Sequence, residues 1–212
     1  MDTPIAQRNG LTLAIYWGIR AWLVVAVLLF MWRGDIASAG STVLILFAIL
    51  LPSLLKRKYR FFYPFFFDLS VGLFVFFTAF LGEVARFYDR IPFWDTLLHF
   101  QSGLLFGMAG YLLAYFLNEH KQYGLQLSPI FISLFAVSFA IAIGALWEIW
   151  EFVGDQIFGS AWAESLEDTV VDLVADSVGA LLISVVGFLW MHRYKRLPMA
   201  PWLKVLKRKR RS

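Results

Sequence analysis

Apolar runs long enough to cross a bilayer constrain this chain more than any other feature. Two of them, "LTLAIYWGIRAWLVVAVLLFMW" (11–32) and "PIFISLFAVSFAIAIGALWEIW" (129–150), each hold a single charge or none before the last turn. Crossing the hydrocarbon core takes roughly 20 predominantly apolar residues as a helix, and a helix satisfies every backbone polar group within itself. The pattern predicts six spans, at about 12–32, 36–55, 62–82, 95–117, 129–153 and 169–191. The fold class is therefore all-α: a polytopic membrane helix bundle, read as a single integral membrane domain over residues 1–212 with a basic tail at 192–212. Composition agrees, with 60% hydrophobic and 16% charged residues where a soluble domain has roughly 45–50% apolar ones. "ASA" at Ala37–Ala39 resembles a signal-peptide cleavage site. However, Arg20 interrupts the preceding run and Arg33 and Asp35 follow it, so that run is read as a retained transmembrane helix.

Orientation follows from the basic residues. With both termini inside, the inner segments hold 15 of the 19 Lys and Arg residues and the outer ones hold Arg33, Arg86 and Arg90. The positive-inside rule then gives N-in, C-in, and places Trp32, Trp94, Trp147, Trp150 and Trp162 near one interface. The tail "KVLKRKRRS" fixes topology and meets anionic lipid headgroups at the cytoplasmic face; nothing in the chain points to nucleic acid. With no cysteine, thiolate ligands, cysteine nucleophiles and disulfides are excluded.

Ionisable groups within spans are costly and mark function, and here they gather at one end. Asp95 and His99 stand at i, i+4; Glu148 and Glu151 at i, i+3; Asp168, Asp172 and Asp176 at i, i+4, i+8. Each set shares one helix face. At about 1.5 Å per residue, His99 and Asp172 lie about 6 Å deeper than Asp95 and Asp168, so His99, Glu148 and Asp172 can meet at one level. Small residues continue the same faces: Ser102, Gly103, Gly107 and Gly110; Gly144, Ala145 and Ala140; Gly179, Ala180 and Gly187. Such residues let membrane helices approach closely. In the plainer alternative Asp95 and Asp168 are N-caps and Glu151 and Asp155 are interface residues, which leaves His99, Glu148, Asp172 and Asp176 unexplained. Gln101 and Ser102 are assigned to helix packing. Arg20 and Asp68, isolated charges in spans one and three, are expected to pair.

So many carboxylates cannot all stay ionised together without cations or shared protons. Arg86 and Arg90 can offset two, and the remainder predicts a divalent metal on Asp95, His99, Glu148 and Asp172, with Glu151, Asp168 and Asp176 at the rim or behind the ligands. Oxygen-rich ligation with one imidazole points to Mg²⁺, Mn²⁺ or Ca²⁺.

"YDRIPFWDTLLHFQSG", "WEIWEF" and "DTVVDLVADSVGALL" resemble the YjdF family of bacterial inner-membrane proteins, from about Arg86 to Leu182. The chain is more distantly similar to VanZ-like membrane proteins, whose Asp-x3-His, acidic and Asp-x3-Asn-x2-Gly positions fall on Asp95, His99, Glu148, Asp172, Asp176 and Gly179. Asp176 departs from that pattern, standing where Asn is usual. The resemblance implies a multi-pass protein of the bacterial inner membrane in a cell-envelope context; VanZ-like proteins are associated with glycopeptide antibiotic resistance. It supplies no reaction.

Three functions compete. A metal-dependent hydrolase or transferase would act on a phosphorylated lipid or envelope precursor at the outer face, with Arg86 and Arg90 binding its phosphate and His99 and Asp95 as catalytic candidates. An ion-coupled or divalent-cation transporter ranks second, because the cluster lies in the outer third and no inverted repeat is visible. The last is a non-catalytic membrane scaffold.

Overall fold

A computed structural model describes residues 10–59, 65–119, 126–159 and 165–194. Every regular element among them is helical. The chain divides into two compact units, Met1–Ile91 and Pro92–Ser212.

The first unit contains α1 (Gly10–Trp32), α2 (Ile36–Tyr59), α3 (Phe65–Val75), a π-helical continuation (Phe76–Val84) and the short α4 (Phe87–Arg90). α2 starts where Asp35 accepts the Ser38 N–H at 3.0 Å, an N-cap that satisfies one of the donors a helix start leaves open. Its core is Leu23, Ala26, Ile45, Ile49 and Phe80. Arg20 and Asp68 are both buried. The Arg20 guanidinium lies 3.5 Å over the Tyr16 ring and donates to the carbonyls of Tyr16 (2.7 Å) and Ile49 (3.3 Å), so α2 backbone receives part of this charge. The widened π turn closes with the Ala85 N–H on the Phe80 carbonyl at 2.8 Å. Gly82 in that turn admits the Tyr88 ring, since a Cβ there would stand 2.8 Å from Tyr88 Cζ.

The second unit is an antiparallel trio, α5 (Trp94–Glu119), α6 (Pro129–Phe158) and α7 (Leu166–Tyr194), each packed on the other two. α6 begins with Ser128 accepting from the Phe131 N–H and with Pro129 at the first helical position, where a missing N–H costs nothing. It ends at Gly159, left-handed at φ 64°, whose N–H reaches the Asp155 carbonyl, a left-handed stop that glycine adopts without strain. The helix therefore runs five residues past the expected 153: charged Asp155 does not end it, and Gly159 does. In α7 the cap is Ser165, whose hydroxyl accepts from the Asp168 N–H at 3.1 Å. Asp168 is thus a first-turn residue and not the N-cap. Asp95 likewise follows Trp94 within the first turn of α5.

Close approach in this trio rests on absent side chains. A Cβ on Gly103 would stand 3.0 Å from the Ala180 nitrogen and collide with the Asp176 carbonyl; one on Gly179 would stand 3.0 Å from the Leu104 nitrogen. At these points α5 and α7 touch backbone to backbone, which is how membrane helices gain dispersion contact where no hydrophobic effect separates helix from lipid.

Burial departs from the pattern of a soluble protein. The interior of the second unit holds His99, Ser102, Glu148, Asp172 and Asp176 at one end and an apolar cluster of Tyr111, Ala114, Ile132, Ala136 and Met191 further along, while Leu146, Trp147, Trp150, Val174, Val178, Leu182 and Leu189 are exposed. Apolar surface on that scale faces lipid. Among the described residues, five helices have the length and apolarity to span: Gly10–Trp32, Phe67–Val84, Trp94–Ala114, Pro129–Ile157 and Leu166–Tyr194. Within α2 the apolar stretch among the described residues is Ser38–Leu50. Trp162, and the basic tail from Lys195 onward, lie outside the described residues.

Candidate metal centre

The site occupies the end of the trio where α5 begins, α6 finishes and α7 begins. Helical spacing on α5 turns Asp95, His99 and Ser102 to the interior, and α7 presents Asp172 and Asp176 one turn apart. Asp176 is deepest, at 1% exposure. The His99 Nδ1–H donates to its Oδ2 at 3.0 Å, and the Ser102 hydroxyl is bonded to its Oδ1. Ser102 Oγ also lies 2.9 Å from the His99 carbonyl oxygen. Gly144 of α6 makes room for this carboxylate, because a Cβ there would stand 2.8 Å from Asp176 Cγ.

The other imidazole nitrogen, Nε2, faces the opposite way, 3.5 Å from Glu148 Oε1 and 3.9 Å from Asp95 Oδ1. Asp95, His99 and Asp172 each offer a ligand atom, and all three atoms lie within 4.8 Å of one another. Two donors about 2.0–2.6 Å from one cation stand about 3–5 Å apart, depending on the angle between them, so this spacing fits one ion. Glu148 and Asp172 are 7% and 2% exposed. Glu148 Oε1 and Asp172 Oδ1 have no hydrogen-bond partner among the described residues. Buried carboxylate oxygens are nearly always satisfied, and a shared proton, a water or a cation would each satisfy these two. Thr169 and Thr96 serve Glu148 and Asp172 through their hydroxyls.

The remaining acids stand further out. Asp95 is half-buried, its side chain 39% exposed, and opens the site to the surroundings. Glu151 accepts the Trp147 indole N–H at 2.9 Å and lies within electrostatic reach of Glu148 and Asp95. Asp168 is within similar reach of Asp95, Glu148 and Asp172. Arg86 and Arg90 belong to the first unit and are exposed there; Arg86 Nε pairs with Asp89 at 3.0 Å. Reading by residue type gave Ser102 to packing. Its spacing of three from His99, on the same face, was the available signal that its hydroxyl serves the site.

No solved structure matches the chain. An uncharacterised protein of Thermotoga maritima is 27% identical over 115 residues, which cover 54% of this chain and 57% of that protein. The match thus spans little more than half of either. Residues 15–193 match a family described as predicted membrane proteins, DUF2238. That stretch runs to within one residue of the end of α7 and holds the six site acids and His99, and the chain belongs to the DUF2238 family of predicted membrane proteins.

Proposed function

We propose that Asp95, His99 and Asp172, with Glu148 beside them, hold one divalent cation at the outward end of a bacterial inner-membrane helix bundle. On this reading the site performs hydrolysis or transfer on a phosphorylated lipid or envelope precursor. The observation that carries it is the pair of buried, unpartnered oxygens on Glu148 and Asp172 beside the His99 ring. Four buried or half-buried carboxylates around one imidazole carry more negative charge than the interior tolerates without a counter-cation. A bound cation would supply Lewis-acid stabilisation of a phosphoryl group. Glu148, 3.5 Å from Nε2 and short of a hydrogen bond, is the group placed to accept a proton from an attacking water. Half-exposed Asp95 leaves the approach open from the membrane surface, where a lipid headgroup lies. The basic asymmetry of the sequence and the YjdF-like motifs support the outward orientation and the envelope setting.

The full chain in nanodiscs, given a polyprenyl diphosphate, should release phosphate in a reaction that a chelator stops. Glu148→Gln should lower that rate about 100-fold or more, the usual scale for a lost general base. A protein that binds metal yet leaves phosphorylated lipids intact contradicts the phosphoryl chemistry.

A further inference from the structure

We infer that the cation is one that accepts an imidazole nitrogen (Mn²⁺, Fe²⁺ or Zn²⁺) and that Asp176 is the positioning residue that makes His99 its ligand through Nε2. The inference rests on the metal reading above and narrows it. A neutral imidazole carries one N–H, and its location decides which nitrogen can ligate. Asp176 is 1% exposed, and both its oxygens are committed, one to the His99 Nδ1–H and the other to Ser102. Gly144 leaves the space that keeps the carboxylate there. The proton is therefore held on Nδ1, on the side away from the other acids, and the Nε2 lone pair faces Asp95 and Glu148. A carboxylate behind a ligating histidine is the arrangement that orients the ring and raises its basicity toward a metal.

The competing state is an imidazolium that ties the acids together through both nitrogens. An Nε2–H aimed at a buried carboxylate would draw it to about 2.7–2.9 Å. Glu148 Oε1 instead stands at 3.5 Å and Asp95 Oδ1 at 3.9 Å, and the Glu148 oxygen stays unpartnered. The geometry is that of two donors facing each other across a shared site. Donor count then separates the cations. The pocket offers one nitrogen and the carboxylates of Asp95 and Asp172, with Glu148 beside them, whereas Ca²⁺ takes six to eight oxygens and Mg²⁺ keeps several waters. Imidazole suits the first-row ions. Of the ions expected from oxygen-rich ligation, Mn²⁺ is the first-row one, and the imidazole nitrogen favours it over Mg²⁺ and Ca²⁺.

The test is competition titration of the purified full chain in nanodiscs with Mn²⁺, Zn²⁺, Mg²⁺ and Ca²⁺, each alone, plus Co²⁺ as an optical reporter of imidazole ligation. Wild type should bind Mn²⁺ or Zn²⁺ at least 100-fold more tightly than Mg²⁺ or Ca²⁺, and Co²⁺ absorption should require His99. Asp176→Asn keeps an acceptor oxygen and should weaken Mn²⁺ or Zn²⁺ binding about 10–100-fold, with the Co²⁺ bands shifted. Mg²⁺ or Ca²⁺ binding as tightly as Mn²⁺ overturns this inference and leaves the metal reading standing. Unchanged affinity and unchanged Co²⁺ bands in Asp176→Asn overturn the positioning role. No binding of any cation by wild type overturns both. The wild-type preference decides the ion even where Asp176→Asn fails to fold.

Discussion

His99 has a different carboxylate on each nitrogen, and the chemistry of the site follows from that difference. Asp176 holds one side of the ring with help from Ser102, so Ser102→Ala tests the support without touching the ligands. Loss of a buried hydrogen bond onto a carboxylate should cost about 1–2 kcal/mol, read as a lower thermal midpoint in detergent, and metal affinity should fall with it. Undiminished affinity would mean that Asp176 needs no second anchor. The acids and His99 were legible in the sequence because charge inside an apolar span stands out. Ser102 was not, since a hydroxyl in a membrane helix commonly bonds back to its own backbone and its type alone does not say which. A second residue-scale prediction concerns Asp35, outside the spans. Its carboxyl is held below the ordinary 3.8 by the Ser38 backbone N–H it accepts. A depressed folded-state pKa gives stability that is present above the unfolded value and lost as pH falls through the folded one. The Ser38 amide should therefore lose protection, measured against its intrinsic exchange rate, below about pH 4 in wild type, while in Asp35→Asn, which keeps an acceptor oxygen, protection stays flat across that window. Matching profiles would remove the carboxylate from the cap.

At the scale of helices, the trio is set by which positions lack a side chain. Gly103 faces the fixed backbone of α7, whereas Gly107 faces the Cγ2 methyl of the Ile183 side chain, which can turn about χ1 to give way. Gly103→Ala should therefore destabilise by about 1–3 kcal/mol through overpacking, and Gly107→Ala by clearly less. Equal thermal midpoints for the two would contradict the backbone contact. The run of helices was readable because membrane-length apolar segments and their connectors are compositional facts. Less readable was where helices start and stop. α6 passes Asp155 because a helix ends on backbone geometry, supplied by Gly159. Ser165 takes the cap from Asp168 because its hydroxyl sits three residues before that N–H. The π turn at Phe76–Val84 had no sequence signal, since apolar periodicity at 3.6 residues does not register one widened turn.

Across the whole molecule, the acids and His99 lie inside the second unit while many large apolar side chains are exposed, the surface a lipid surround demands. The sequence showed that the chain belongs in a membrane, and not that its contacts separate at Ile91, because span count carries no information on which helices pack together. We propose that both termini are cytoplasmic. A reporter active only outside the membrane should then be silent after Ser212 and active near Ser160, and the opposite pattern would place the site on the inner face. Metal content and thermal stability, measured with and without chelator in wild type and Asp172→Asn, decide whether the acids and His99 hold a metal as proposed. Purified wild type should contain a metal and melt lower after chelation, and Asp172→Asn should fold but hold little metal and ignore the chelator. Wild type free of metal and indifferent to chelator, with Asp172→Asn more stable than wild type because a crowded charge has been removed, would contradict the proposal.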